Sequence, residues 1–595
     1  MWPLLIVLIP LLGAFYLIFF KKRTINIVLF TSIILLILGV MGLKSVTGSG
    51  QLIYRLPFTG PFVPVFSADS LNLIFVTLAA LLWLVISFYS PHYMKEEGRK
   101  RDFDIISMLN LSAVMGVFLA GDLLTMLLFF ELMTISSYFW VIHRRDKEAL
   151  RAGYFYLFYS IIAGFILTVG IAFMGVATDT LPAIGGGEVI PLNPRAFSWG
   201  LVFFVLGFGI KAGMVPLHLW LPYAHSVAPT PASGLLSGLL IKVGAYGLIR
   251  TGEFAGWGMQ AGYDLSFLGS VLLFTGILSM LVGVIAALLQ SNAKRLLAFH
   301  SVSQMGYIIL GLGVSLYLGT EGGLGLLGAI YHVLNHALFK AALFLGVGII
   351  YIYRKETNLY KLGGLWRQFP LTAFLMFFAV LGITGFPGLN GYASKTLLHH
   401  GVSLVAGKGG TWGIWLERIF SLVGVGTAAS FTKLYYLMFL ARPEREKGTK
   451  QEPSLKIEEL TGMQVAMALL VIIMLMIGNM PEFFLYNMAI PAAEITGMGN
   501  LRNDLIHFSF WSFSDLRGIF ITLVLGVVLC ITGLKSGAFH WQPPFWLTQE
   551  GIGKEVIDEL SLFWKEAVEF YQFISSGITN WRRNLAAAIF RRFRS

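Results

Sequence analysis

Cysteine is nearly absent: among 595 residues only Cys530 carries a thiol. One thiol closes no intramolecular disulfide and holds no iron–sulfur cluster, so a Cys-ligated redox centre within this chain is excluded. Charge is scarce as well. Asp, Glu, Lys and Arg make up 12% of the residues against 56% hydrophobic ones, about half the charged share of an ordinary soluble domain. That balance excludes a soluble globule, because apolar runs of about 20 residues recur along the chain. No soluble domain fits between those runs. The opening "MWPLLIVLIPLLGAFYLIFFKKR" has no positive segment before its apolar stretch and no small-residue cleavage site. It reads as a membrane helix rather than a signal peptide. The net charge of +12 would suit nucleic acid, but the basic residues sit in short connections between apolar runs. That is a pattern of membrane topology.

What is present is an all-α polytopic membrane protein. Apolar runs predict about fifteen spans, near 2–20, 25–45, 68–90, 104–120, 122–142, 151–178, 198–222, 230–250, 265–290, 295–316, 323–352, 370–401, 411–441, 463–488 and 516–535. Connections after odd-numbered spans are basic: "KKR", "HYMKEEGRKR", "HRRDKEALR", "AKR", "YRKETNLYKLGGLWR" and "ARPEREKGTK". Even connections such as "GD" and "GTEGG" are poor in Lys and Arg. The alternation puts the N-terminus outside and the C-terminus in the cytoplasm of a cell (inner or plasma) membrane. Residues 551–595 carry an apolar stripe at three-and-four spacing and end in "RRNLAAAIFRRFRS". This predicts an amphipathic helix, either on the inner leaflet or packed along a neighbouring subunit.

Ionisable residues at membrane depth cost about 2.5–3.5 kcal/mol each on insertion scales, so they mark function or pairing. Glu131, Lys211 and Lys242 each sit well inside a span. His332, His336 and Lys340 are spaced by four, which lines them along one helix face with Asn335 beside them. Lys395 follows "GFPGLNGYAS". Lys44, Lys361, Lys433 and Asp69 lie close enough to span ends to reach an interface. His332 and His336 have metal-compatible spacing, but no carboxylate or third histidine accompanies them, so no metal site is expected. Burial disfavours a charged lysine and a nearby carboxylate favours it. Glu131 approaching and leaving Lys211 would thus make it hold and release a proton, with Lys242, the histidines and Lys395 as relays.

Pro216 interrupts the seventh span after Lys211, and Pro387 interrupts the twelfth before Lys395. Backbone groups freed by proline are tolerated in a membrane only inside protein or beside water, so both breaks should line a buried cavity. Each falls in the fourth helix of a five-helix set, and the two sets start on opposite sides, as in an inverted-repeat transporter. The expected organisation is 1–103 (three helices), 104–251 and 262–441 (the two repeats), 463–535 (two helices) and the tail 551–595. "GLLSG" at 234–238 offers small residues for close helix packing. "GLGLLG" at 323–328 follows no strand and is no nucleotide fingerprint, and "NLS" at Asn110 lies in a span.

The stretches "KAGMVPLHLWLPYAHSVAPTPAS…GLLIKVGAYGLIR", "QSNAKRLLAFHSVSQMGY", "YHVLNHALFKAALFLG" and "GGLWRQFPLTAF…GFPGLNGYASK" resemble the antiporter-like membrane subunits. That family is shared by complex I, Mrp cation/proton antiporters, energy-converting hydrogenases and formate hydrogenlyase. The resemblance covers roughly residues 65–440 and is nearest to the hydrogenase or Mrp branch. It implies a fourteen-helix core that translocates H⁺ or Na⁺. It implies Glu131 as the fifth-helix glutamate, Lys211 as its lysine partner and Lys242 as the central relay. His332 and His336 match the eleventh-helix histidines, and Lys395 the twelfth-helix exit residue. His218 and His225 are supporting candidates, His225 being either an uptake residue or a loop residue. Tyr223 stands where an acidic residue is common. No cofactor is expected in this chain. Expected partners are other membrane subunits, a cytoplasmic redox arm with Fe–S clusters, and the lipid bilayer; nucleic acid is not among them. The alternatives are a large subunit of an Mrp-type Na⁺/H⁺ antiporter and a passive membrane scaffold.

Overall fold

A computed structural model of the chain describes residues 1–20, 26–46, 50–57, 63–179, 181–185, 191–442, 461–497, 501, 505 and 508–541. The expected tail helix at 551–595 lies outside the described residues, as does "KKR" at 21–23. Helices α1 (Trp2–Phe19) and α2 (Ile27–Val46) precede an antiparallel hairpin, β1 (Leu52–Arg55) and β2 (Val65–Ala68), with Leu52 opposite Ala68. The span pattern does not predict this hairpin, which lies in the connection between apolar runs. Then come α3 (Ser70–Glu97), α4 (Lys100–Phe118), α5 (Leu123–Val141), α6 (Lys147–Thr178), α7 (Pro194–Ala212), α8 (Trp220–Val227) and α9 (Thr230–Gln260). They are followed by α10 (Ser266–Leu288), α11 (Ala293–Leu318), α12 (Gly323–Arg354), α13 (Pro370–Thr384), α14 (Asn390–Lys408) and α15 (Gly410–Leu440). Helices α16 (Gly462–Asn479) and α17 (Phe513–Ser536) complete the described spans.

Among the described residues, 13 helices are long and apolar enough to cross a membrane. The two remaining expected spans are α4, whose first turns carry Lys100, Arg101, Asp102 and Asp104, and the broken pair α13–α14. The chain is a multi-pass membrane protein. Short polar residues set where many helices begin: Asp122, Asp146, Asn193 and Asn292 each accept from a backbone N–H in the first turn. Pro194 follows Asn193 at the first helical position, where its missing N–H costs nothing.

Among the described residues, four of the basic connections lie close to one another. Arg144 pairs with Glu97 at 2.6 Å and donates to the Tyr351 hydroxyl at 2.9 Å. Arg99 donates to the His143 carbonyl, and Arg101 to the carbonyls of Leu17 and Ile18. Lys294 lies over the Tyr351 ring, and Asn292 donates to Thr357. Away from these contacts, Arg250 pairs with Asp69 and Glu253, Asp122 accepts from Val65 N–H, Lys408 pairs with Glu321, and Asp515 meets His400.

Helices α10 and α11 meet backbone to backbone along a glycine seam. A Cβ on Gly269, Gly276 or Gly283 would lie 2.4, 2.7 or 2.5 Å from a main-chain nitrogen of α11. The seven-residue spacing keeps the three on one helix face. The seam fixes α11, and with it His300, Gln304 and Tyr307. Gly276→Leu is expected to lower the melting temperature of the detergent-solubilised protein, since overpacking costs about 1–3 kcal/mol. Gly407→Ala, in open space, should leave it unchanged, and equal melting curves for the two would refute the seam.

Candidate functional site

The first break stands where Pro216 predicts it. Helix α7 ends at Ala212, Gly213 turns the chain at φ 72°, and α8 starts at Trp220. Lys211 occupies the last turn and is buried. Its Nζ donates to Tyr156 OH at 2.9 Å, Thr134 Oγ1 at 3.2 Å and Ser160 Oγ at 3.4 Å, and stands 4.7 Å from the Tyr156 ring centroid. The expected partner is not among these. Glu131 lies on α5 with its carboxylate against α6, where a Cβ on Gly164 would sit 1.9 Å from Oε1. Lys211 and Glu131 therefore form no direct ion pair in this arrangement. Three hydroxyls on α5 and α6 take up the ammonium instead.

The next relay candidate is one helix away. A Cβ on Gly244 would lie 2.4 Å from Ala212 N, so α7 and α9 touch through their backbones just beside Lys211 and Lys242. Lys242 is fully buried, and its Nζ donates to the Ser237 carbonyl at 2.5 Å. Ser237 belongs to a π-helical segment, Leu236–Leu240. Such bulges loosen the regular ladder and recur at functional sites. "GLLSG" thus supplies this bulge; the closest backbone approach in α9 is made by Gly244.

On α12 the predicted face is real. The His332 and His336 rings stack at 6.1 Å, and Lys340 donates to the Leu297 carbonyl. His332 Nδ1 meets Ser394 Oγ at 2.9 Å, and Asn335 donates to the Asn390 carbonyl at 2.6 Å, so this face runs directly to α14. The second break spans Gly385–Leu389, including Pro387. There Lys395 Nζ donates to the Ile383 carbonyl at 2.7 Å, in the last turn of α13. Both ring nitrogens of His225 and His336, His332 Nε2, His218 Nδ1 and Asn335 Oδ1 are buried without a protein partner. His225 is no loop residue: it sits in α8 with its ring 4.9 Å from Phe344. Tyr223 stacks on Phe155 at 4.8 Å.

Several buried polar groups escape a reading of the sequence. Lys294, the lysine of the basic stretch "AKR", is helical and buried, donating to the Ala228 carbonyl at 3.1 Å. His300 and Gln304 are buried on α11 with their side-chain polar atoms unpartnered. Their spacing of four is the signal that singled out His332 and His336. Lys433 and Asp69 do not reach an interface as expected. Lys433 is buried and donates to the carbonyls of Leu288 and Gln290. Asp69 is buried beside Arg250 at 2.5 Å, and Arg250 also holds Glu253 at 2.7 Å. Lys44 and Lys361 are exposed, as expected. Among the described residues no group of three or more His, Cys, Asp or Glu could hold a metal ion.

Residues 120–409 match the family described as "NADH:quinone oxidoreductase/Mrp antiporter, TM". The chain is 33% identical over 408 residues to hydrogenase-4 component B of Escherichia coli, covering 66% of this chain and 59% of that protein. It thus spans about three-fifths of that relative. It is 30% identical over 465 residues to a Na(+)/H(+) antiporter subunit of Alkalihalophilus pseudofirmus, covering 76% of this chain and 89% of that protein. In fold it resembles a chain of the Mrp complex from Dietzia sp., with a TM-score of 0.72 at 22% identity over 83% of this chain and 97% of that one. It likewise resembles a chain of respiratory complex I from Thermus thermophilus, with a TM-score of 0.69 at 23% identity over 83% and 99%.

Arg250→Ala would strand two buried carboxylates, and breaking a buried pair in this way costs about 3–5 kcal/mol. The amount of intact protein in membranes, read by immunoblot, should fall sharply, and adding Glu253→Gln should recover part of it. An unchanged level in Arg250→Ala would show that the cluster does not hold the α3–α9 contact.

Proposed function

The chain belongs to the NADH:quinone oxidoreductase/Mrp antiporter transmembrane family, and from that premise we propose that this antiporter-like subunit moves protons along a buried polar line. The line runs from Glu131 through Lys211, Lys242, His336 and His332 to Lys395. The supporting groups are His218, His225, Asn335, Lys340 and, from α11, His300. One observation carries the reading: buried lysines share this line with imidazoles, of which both ring nitrogens of His336 and Nε2 of His332 find no protein partner. Each unsatisfied buried polar group costs about 1–3 kcal/mol, so a purely structural core would not keep so many in sequence. Water can satisfy them, and a hydrated row of lysines and histidines conducts protons. A passive scaffold has no use for that expense.

In this reading, Lys211 alternates between two partners. With Glu131 close, its charge is held. With Glu131 turned toward Gly164 the ammonium has only neutral hydroxyls, and release toward Lys242 becomes easier. The residue sets 104–251 and 262–441 act as two inverted repeats, each contributing one broken helix. The basic end faces the cytoplasm of the inner or plasma membrane, with the N-terminus outside and the C-terminus inside.

The driving chemistry lies in partners, because one cysteine cannot hold a cluster. Similarity to hydrogenase-4 component B supports a redox-driven membrane complex with a cytoplasmic Fe–S arm. A second reading, membership of an Mrp-type antiporter with Na⁺ as coupling ion, is favoured by the 89% coverage of the Alkalihalophilus pseudofirmus antiporter protein. Metal analysis of the purified intact complex separates them: iron points to the redox arm, its absence to the antiporter.

Lys211→Ala, assayed in sealed vesicles with the assembled complex present at normal amount, is expected to slow ion transport about tenfold or more, equivalent to about 1.4 kcal/mol on the barrier. Glu131→Ala should act in the same direction. Transport at the parental rate in both variants would end the translocation reading.

A further inference from the structure

Beyond Lys395 the polar groups continue toward the end opposite the basic loops. A cavity of 140 Å³ adjoins Lys395 and is lined by Tyr307, Thr384 and His399, and also by Asp515, Ile519 and Thr522 of α17. On this side His400 Nε2 meets Asp515 Oδ2 at 3.0 Å, and His399 Nε2 stands 3.5 Å from Glu417. Ser512 donates to Asp515 and Ser403 to Glu417, each at 2.5 Å. The groups become more exposed along the way. Lys395 is 8% exposed, the Asp515 side chain 11% and the His400 side chain 37%.

Helix α17 is positioned to close this space. A Cβ on its Gly526 would lie 2.3 Å from Ala428 Cβ, so α17 lies tight on α15. Ile519 approaches to 3.6 Å from where a Cβ on Gly385 would stand, which covers the helix break itself. Without α17, the Lys395 ammonium and the loosened end of α13 would face lipid, where polar groups must be satisfied by protein or water. Yet α17 lies outside the family-matched residues 120–409. Asp515 stands in the first turn of α17, where the Ser512 cap and the helix dipole favour a carboxylate, and from there it also reaches His400, five residues beyond Lys395.

We propose that α17 forms the outer wall of a proton-release vestibule, in which Asp515 with His400 takes the proton leaving Lys395 and passes it to the face opposite the basic loops. This rests on the translocation reading above. The proton leaves Lys395 Nζ, which is left as a neutral amine, crosses the cavity by water or the His399 ring, and rests on the Asp515–His400 pair before reaching bulk solvent. Glu417, beside His399, adds negative charge to the same mouth. No bond other than N–H and O–H changes.

The test uses the assembled complex in sealed vesicles. Asp515→Asn is expected to slow transport about tenfold, equivalent to about 1.4 kcal/mol on the barrier, with the complex present at normal amount. Asp515→Glu should restore most of the rate, and Arg517→Gln on the same helix should leave it unchanged. Because Cys530 is the sole cysteine of this chain, Cys530→Ala leaves this subunit without a thiol, and labelling is read on this subunit after the complex is separated by gel electrophoresis. Thr396→Cys in that background should react with a membrane-impermeant methanethiosulfonate only from the face opposite the basic loops. Parental transport in Asp515→Asn, or labelling of Thr396→Cys from the basic face alone, overturns the vestibule. So does a loss of Asp515→Asn transport that merely follows a loss of complex and is not recovered by Asp515→Glu. If Lys211→Ala stops transport while Asp515→Asn does not, only the vestibule fails; if neither slows it, the translocation reading fails with it.

Discussion

An ammonium group at membrane depth has to find an acceptor, and in this protein the acceptor is usually a main-chain carbonyl. Lys242 takes Ser237, Lys294 takes Ala228, Lys340 takes Leu297, Lys395 takes Ile383, and Lys433 takes Leu288 and Gln290. Carbonyls have capacity to spare chiefly where a helix ends, breaks or bulges. Ile383 is in the last turn of α13, Ala228 follows α8, Leu288 closes α10, and Ser237 lies in the π-helical segment. Buried cations and irregular backbone are therefore two sides of one arrangement. The second break supplies the acceptor for its lysine, Lys395, whereas Lys211 at the first break takes hydroxyls of α5 and α6 and Lys340 takes a carbonyl within α11.

The kind of acceptor matters for what the lysine can do. A carboxylate partner fixes the positive charge, as Asp69 and Glu253 do for Arg250. A neutral carbonyl or hydroxyl stabilises it less. Glu131 makes no hydrogen bond to Lys211 in this arrangement, and the hydroxyls of Tyr156, Thr134 and Ser160 take its place. The close glycine contacts matter for the same reason. Gly244 against α7 and the glycine seam between α10 and α11 hold helices in direct backbone contact. The polar faces then meet at short range without charged pairs to bind them.

Much of the site was legible in the chain. Lys211, Lys242, His332, His336 and Lys395 stand out because charge or imidazole inside an apolar run is costly. Pro216 and Pro387 mark the breaks because proline removes a backbone donor. The burial of Lys294 was not legible, since a lysine within a short basic stretch looks the same whether it points to water or inward. His300 and Gln304 were hidden among small polar neighbours. Asp69 and Lys433 looked like interface residues because distance to a span end says nothing about which neighbour covers them. Arg250 and Glu253 are two residues of one cluster whose third member, Asp69, is distant in the chain.

By itself the sequence determined the membrane class, the spans, the alternation of basic and non-basic ends, and the depth of the principal ionisable groups. These follow from local hydropathy and from the cost of charge in hydrocarbon, which depend on the order of residues alone. Tertiary structure decided which acceptor each lysine takes, that Glu131 lies against Gly164 and not on Lys211, and that α17 closes the space beside Lys395. Those outcomes depend on contacts between helices far apart in the chain, set by the fit of glycines, ring faces and loosened carbonyls that no single span contains.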